Sequence, residues 1–64
     1  MKYTHVSFDI ADESFKLYTA IEWHNLIADA KEELIKEDEY WADAQVEELL
    51  EAMYGDEFFW EEIV

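Results

Sequence analysis

The chain lacks cysteine, proline and arginine, and it has a single glycine in 64 residues. Without cysteine, no disulfide or thiolate-metal site can staple the fold. One glycine cannot build a phosphate-cradling loop. Four lysines are the only side-chain cations that do not depend on histidine titration. Gripping phosphates needs Lys and Arg, so nucleic acid and anionic membranes are disfavoured as direct ligands. No uncharged run approaches the roughly 20 residues of a membrane span. No basic leader followed by an apolar stretch is visible, and the expectation is a soluble, cytoplasmic protein.

Catalytic signatures are missing as well. Ser7, Ser14 and Thr19 have no G-x-S-x-G context. Gly55 is preceded by Leu50, Ala52 and Tyr54 where an EF-hand loop needs oxygen ligands. H-E-x-x-H is absent, and Ile21 stands three residues before His24, where a di-iron helix carries Glu. A domain of this size also leaves little room for a pocket. The expectation is a non-enzyme with no cofactor and no specific metal.

What the chain does have is aromatic bulk and acid. Eleven aromatic residues (Trp 3, Tyr 4, Phe 4) argue for a folded domain, since disordered acidic tails are poor in them. Eighteen acidic residues face the four lysines, for a formal net charge of −14. Residues 1–31 hold five acids and three lysines, a net −2; residues 32–64 hold thirteen acids and one lysine, a net −12. Asymmetry of this kind marks an interaction surface.

The apolar pattern predicts an α+β fold, one small domain with an N-terminal β-hairpin packed against two or three helices. Thr4, Val6, Phe8 and Ile10 alternate with His5, Ser7 and Asp9, as in a half-buried strand. Ala11–Ser14 reads as the turn of a hairpin spanning about 3–18, and the helices are expected to cover its apolar face. Both histidines fall on polar sides and read as surface residues. Thr19 and Glu22 have capping-box spacing, starting a helix of about 20–36 with a stripe of Trp23, Leu26, Ile27, Ala30 and Leu34. Glu37–Glu39 reads as its exit. Asp43 reads as the N-cap of a second helix, about 43–54, on which Val46, Leu49, Leu50 and Met53 follow the i, i+3, i+4, i+7 template. Gly55 sits where a C-cap belongs. A short helix or strand at about 57–63 follows, with Asp56 as a possible cap for the helical option.

Glu33–Glu37, Glu47–Glu51 and Glu57–Glu61 are i, i+4 pairs of like charge. On helices each costs about 0.2–0.5 kcal/mol, a cost that lysine at the second position would reverse. Neighbours on a helix face lie about 5–6 Å apart. DNA carries a phosphate about every 3.4 Å per strand. Rows of carboxylates on adjacent helices therefore approximate a phosphate backbone. The candidate contacts are Glu33, Glu37, Asp38, Glu39, Asp43, Glu47, Glu48, Glu51, Glu57 and Glu61. Among Tyr40, Trp41, Phe58, Phe59 and Trp60, the core cannot take all five rings; Phe59 reads as core, and Trp41 and Trp60 as candidate anchors.

In size, charge, aromatic content and the acidic run from Glu32 to Glu62, the chain resembles the small phage-encoded DNA mimics. These include anti-restriction proteins, uracil-DNA glycosylase inhibitors and some anti-CRISPRs that act on DNA-binding Cascade complexes. They share no sequence motif, so no functional residue is carried over. The resemblance implies an inhibitor occupying the DNA or RNA site of a basic nucleic-acid-binding partner, such as a CRISPR Cascade complex or a restriction enzyme in a bacterial host cell. An immunity protein or antitoxin against a basic nuclease, and an acidic adaptor subunit, are the other readings, each as a monomer or homodimer. An acidic surface of the halophilic kind is the bland alternative, against which stands the nearly neutral first half.

Overall fold

The computed structural model describes residues 2–63. Strand β1 (Tyr3–Asp9) pairs antiparallel with β2 (Ser14–Thr19) through a turn that contains no glycine. Asp9 supplies local chemistry instead, its Oδ1 accepting from the Ala11 amide at 2.9 Å. The Glu13 amide donates to the Ile10 carbonyl at 3.3 Å, and Glu13 takes the left-handed conformation at φ 55°. The turn thus begins at Ile10, one residue before the sequence pattern places it.

Helix α1 (Ala20–Glu37) starts directly from β2. The Glu22 amide donates to Thr19 Oγ1 at 3.2 Å, and the Thr19 amide donates to Glu22 Oε1 at 3.0 Å, closing the capping box. These bonds hold the Glu22 carboxyl below its ordinary pKa, the backbone bond from Thr19 contributing most.

A 3₁₀ helix (Glu39–Asp43) follows, an element the apolar pattern does not announce. Asp38 nucleates it, Oδ1 accepting from the Tyr40 amide at 2.9 Å. This corrects the expectation for Asp43, which is the last residue of that turn and not a cap. Helix α2 (Val46–Tyr54) is entered from Gln45, whose side chain makes no capping bond. Gly55 ends it at φ 84°, its amide donating to the Glu51 carbonyl at 2.8 Å.

The last element is a strand, β3 (Phe58–Glu62), so Asp56 caps no helix. It adds to the free edge of β1, giving an antiparallel sheet ordered β2-β1-β3. The Ile10 amide to the Glu57 carbonyl (2.9 Å) and the Ile63 amide to the Thr4 carbonyl (2.7 Å) extend this ladder at both ends. Consecutive aromatics at 58–60 fit a strand that buries some of its rings on one face and presents another on the opposite face.

The core lies between the helices and one face of the sheet. Tyr18, Trp23 and Leu50 are buried together, with Leu26, Ile27, Val46, Phe58 and Trp60 packed against them. The face chosen is the one expected to be wet. His5 stacks on Trp23 with centroids 4.4 Å apart and planes 4° apart, so it is half-buried against the core and not surface decoration. Ser7 is 5% exposed, its hydroxyl 2.9 Å from that of Tyr18, which satisfies both groups. His24 is exposed.

Volume explains the choice. Tyr18, Trp60 and Trp23 close over the central strand from both sides and above, leaving room there only for small or flat residues. Trp23 and Trp60 lie 5.1 Å apart, and Tyr18 meets Trp23 edge-on at 5.3 Å. Packing density governs interiors, and Ser7 and His5 fit beneath these rings where Phe8 would overfill the space. The apolar residues of β1 consequently face away from the helices, which corrects the expectation that the helices cover them. Phe8 (42%), Phe15 (70%) and Phe59 (52%) all stand in solvent, Phe59 contrary to its reading as core. The chain is only 15 Å thick along its shortest axis, space for one sheet and one helical layer. Among the described residues, no helix is long and apolar enough to cross a membrane.

Candidate acidic interface

The acids of residues 32–51 belong to the helical layer. Glu33 and Glu37 ride the last turns of α1, Asp38 and Glu39 the junction, Asp43 the 3₁₀ helix, and Glu47, Glu48 and Glu51 α2; all are exposed. The Lys36–Glu33 contact at 3.4 Å is the one ion pair found among the described residues. It is solvent-facing and contributes little.

Helix electrostatics separates these acids into two groups. Glu47 and Glu48 stand in the first turn of α2, where the helix dipole favours negative charge. They therefore have a structural reason to be acidic. Asp38 caps the 3₁₀ helix and Glu39 stands in its first turn, whereas Glu37 stands in the last turn of α1, where that helix's dipole disfavours it. Folding supplies no reason for that placement.

Between the 3₁₀ helix and α2 runs a groove lined by Tyr40, Trp41, Glu48, Glu51, Ala52 and Asp56. Asp38 fixes the backbone under Tyr40, and the Tyr40 hydroxyl donates to Glu48 Oε2 at 3.1 Å, bridging the two elements. That hydrogen bond raises the phenol's pKa, because ionisation would set it against the Glu48 carboxylate. Tyr40 and Trp41 pack edge to face at 5.3 Å. Tyr40 is 62% exposed and Trp41 half-buried. A guanidinium or ammonium group laid on these rings would gain a cation–π contact with carboxylates beside it.

The remaining candidates lie elsewhere. Glu57 sits in the turn before β3, and Glu61 on β3 points to the sheet face away from the helices, paired across from Val6. Their spacing is not that of a helix, so they form no carboxylate pair of the kind expected. Trp60 is committed to the core against Trp23 and His5. Tyr40 and Asp56 belong to the groove although charge spacing singled out neither. The signal for Tyr40 is Asp38 two residues before it, the spacing of a side-chain cap. Among the described residues, no three His, Asp or Glu side chains converge as a metal centre.

No family model, curated protein or solved structure proved similar to this chain.

Proposed function

We propose that this protein is an inhibitor that occupies the DNA or RNA site of a basic nucleic-acid-binding protein or complex, as phage anti-CRISPR and anti-restriction proteins do, acting in the cytoplasm of a bacterial host. The observation that carries this reading is the helical layer, where exposed carboxylates on three consecutive elements stand with two lysines, Lys31 and Lys36, the latter bridged to Glu33, and where Glu48, Glu51 and Asp56 line an aromatic groove. Glu37, in the last turn of α1, opposes the helix dipole, which supports a use outside folding. Glu33–Glu37 and Glu47–Glu51 supply rows of charge on two helices in contact. The groove offers Tyr40 and Trp41 to an arginine or lysine that otherwise holds a phosphate. Such a binder needs no catalytic group, and its opposite field speeds encounter with a basic cleft by about 10–10³ at low salt.

The test is capture from bacterial lysate on the tagged protein, followed by elution with excess duplex DNA. Release of a nucleic-acid-binding protein by DNA is the expected result. Charge reversal at Glu47 and Glu51 to lysine should weaken capture, and added salt should do the same, since exposed charges are screened beyond about 8–10 Å at physiological ionic strength. A captured protein that resists DNA and survives these reversals would overturn the proposal. A captured protein encoded beside this chain as a toxic nuclease would identify an immunity protein.

A further inference from the structure

The sheet face opposite the helices is a large surface that the acidic interface does not use. Cross-strand pairing sets two rows on it, Leu17–Val6–Glu61 and Phe15–Phe8–Phe59. Ile10 and Ile63, both exposed, flank it at its two ends. Its one strand acid, Glu61, is on an edge strand at the margin; Lys16 and Glu62 point to the other face. The face is thus apolar and nearly uncharged on a chain of net charge −14.

Its area selects the occupant. At about 200 Å² per aromatic side chain, the three exposed phenylalanines leave about 300 Å² in water. The flanking aliphatic residues bring the patch to about 500–600 Å², the upper end of what a monomer exposes. Two such patches pressed together would bury about 1,000–1,200 Å², the lower bound of a specific interface. Charge points the same way. The carboxylate rows of α1 and α2 lie on the far side of the sheet, so two copies meeting face to face keep their strongest fields outward. A basic partner would find almost no counter-charge on this face.

We infer that this face is a self-association surface, on which a second copy of the chain packs sheet to sheet about a two-fold axis. The dimer has four layers, helix–sheet–sheet–helix, with the two sheets about 10 Å apart in the aligned packing of β-sandwiches. Phe8 lies near its centre and Glu61 at its rim. Both acidic helical layers remain outside and free, so one dimer presents two copies of the acidic groove. The inference does not depend on what those grooves bind.

Sedimentation equilibrium of the intact chain from roughly 1 to 300 μM tests it, a span that covers weak to moderate dimer affinities. The expected result is a rise from the 7.7 kDa chain to twice that mass. Added salt should strengthen the dimer, because it screens repulsion between two acidic chains, whereas it weakens capture of a basic partner. Phe15→Thr with Phe59→Thr keeps β-propensity, and should return the protein to monomer with its far-UV spectrum unchanged. Glu61→Gln, which removes a charge from the rim, should tighten association several-fold and requires no loss of fold. A chain that stays monomeric over the whole range overturns the inference and leaves this face to a protein of different sequence. A dimer insensitive to both the Phe and Glu61 changes also overturns it, and points to pairing along the free edges of β2 or β3.

Discussion

The two faces of the sheet invert the usual relation between polarity and burial. The face carrying His5, Ser7 and Asp9 is covered by helices, while the face carrying Val6, Phe8, Phe15, Leu17 and Phe59 is bare. Alternation identifies the two faces of a strand, but does not say which one meets the core. That depends on what the neighbouring strands and helices bring to it. Here β2, β3 and α1 bring Tyr18, Trp60 and Trp23, and the central strand must yield volume to them. A protein can bury a serine cheaply when a tyrosine hydroxyl satisfies it, and can leave phenylalanines exposed when another surface is meant to cover them.

Substitutions on and around the two faces should differ widely in cost. Leu50 is 1% exposed between helix and sheet, and Leu50→Ala should cost about 2–5 kcal/mol in urea unfolding. Ser7→Ala leaves the buried Tyr18 hydroxyl without its partner and should cost about 1–3 kcal/mol, although it removes only one oxygen from a residue that reads as polar surface. A neutral result there would show that the Ser7–Tyr18 hydrogen bond carries no structural role. Thr19→Ala opens the capping box and should cost about 0.5–2 kcal/mol.

The same capping box predicts a pH signature. Glu22 has its folded pKa lowered, so its contribution is in place above the ordinary carboxylate range and is lost as pH falls through the lowered value. Relief of acidic self-repulsion works in the opposite direction on the whole chain. The difference isolates the residue: Glu22→Ala should show a smaller acid-side loss than the parent in stability curves measured at matched salt.

Glu37→Lys reverses a charge at the C-terminal end of α1 and should stabilise the fold by about 0.3–1 kcal/mol while weakening capture of a basic partner. Stability and binding would move in opposite directions, which a purely structural acid would not produce. Smallest of all, Phe15→Thr on the bare face should shift the stability of the isolated chain by no more than about 0.5 kcal/mol, against the several expected at Leu50. A large loss at Phe15 measured at low concentration would show that the face already supports the monomer.

Local chemistry was readable from the residues themselves. Thr19 with Glu22 announces the start of α1, Gly55 the end of α2, and the stripe from Trp23 to Leu34 the buried side of a helix. The hairpin is written in the alternation of residues 4–10 and 15–18. The 3₁₀ helix was not legible, because five residues are too few to show a period, and Asp43 offered a more familiar cap than Asp38 did. Part of the acidic site was legible as charge spacing along α1 and α2. Of its aromatic half, Trp41 was legible as a candidate anchor and Tyr40 was not, since the groove forms only where the two rings fold back beside Glu48, Glu51 and Asp56. Glu57 and Glu61 show the converse error: their helical spacing is incidental once the segment is a strand.

The class of fold, the Thr19–Glu22 and Gly55 caps and the acid of the second half can be read along the chain, because each is a matter of composition or of interactions within a few residues. Tertiary structure alone decided that β3 joins the free edge of β1, that His5 and Ser7 go inside, and that the phenylalanines stay out. The physical reason is that burial is a contest for volume among elements far apart in sequence. Trp23, Tyr18 and Trp60 settle it together, and no strand read in isolation contains the answer.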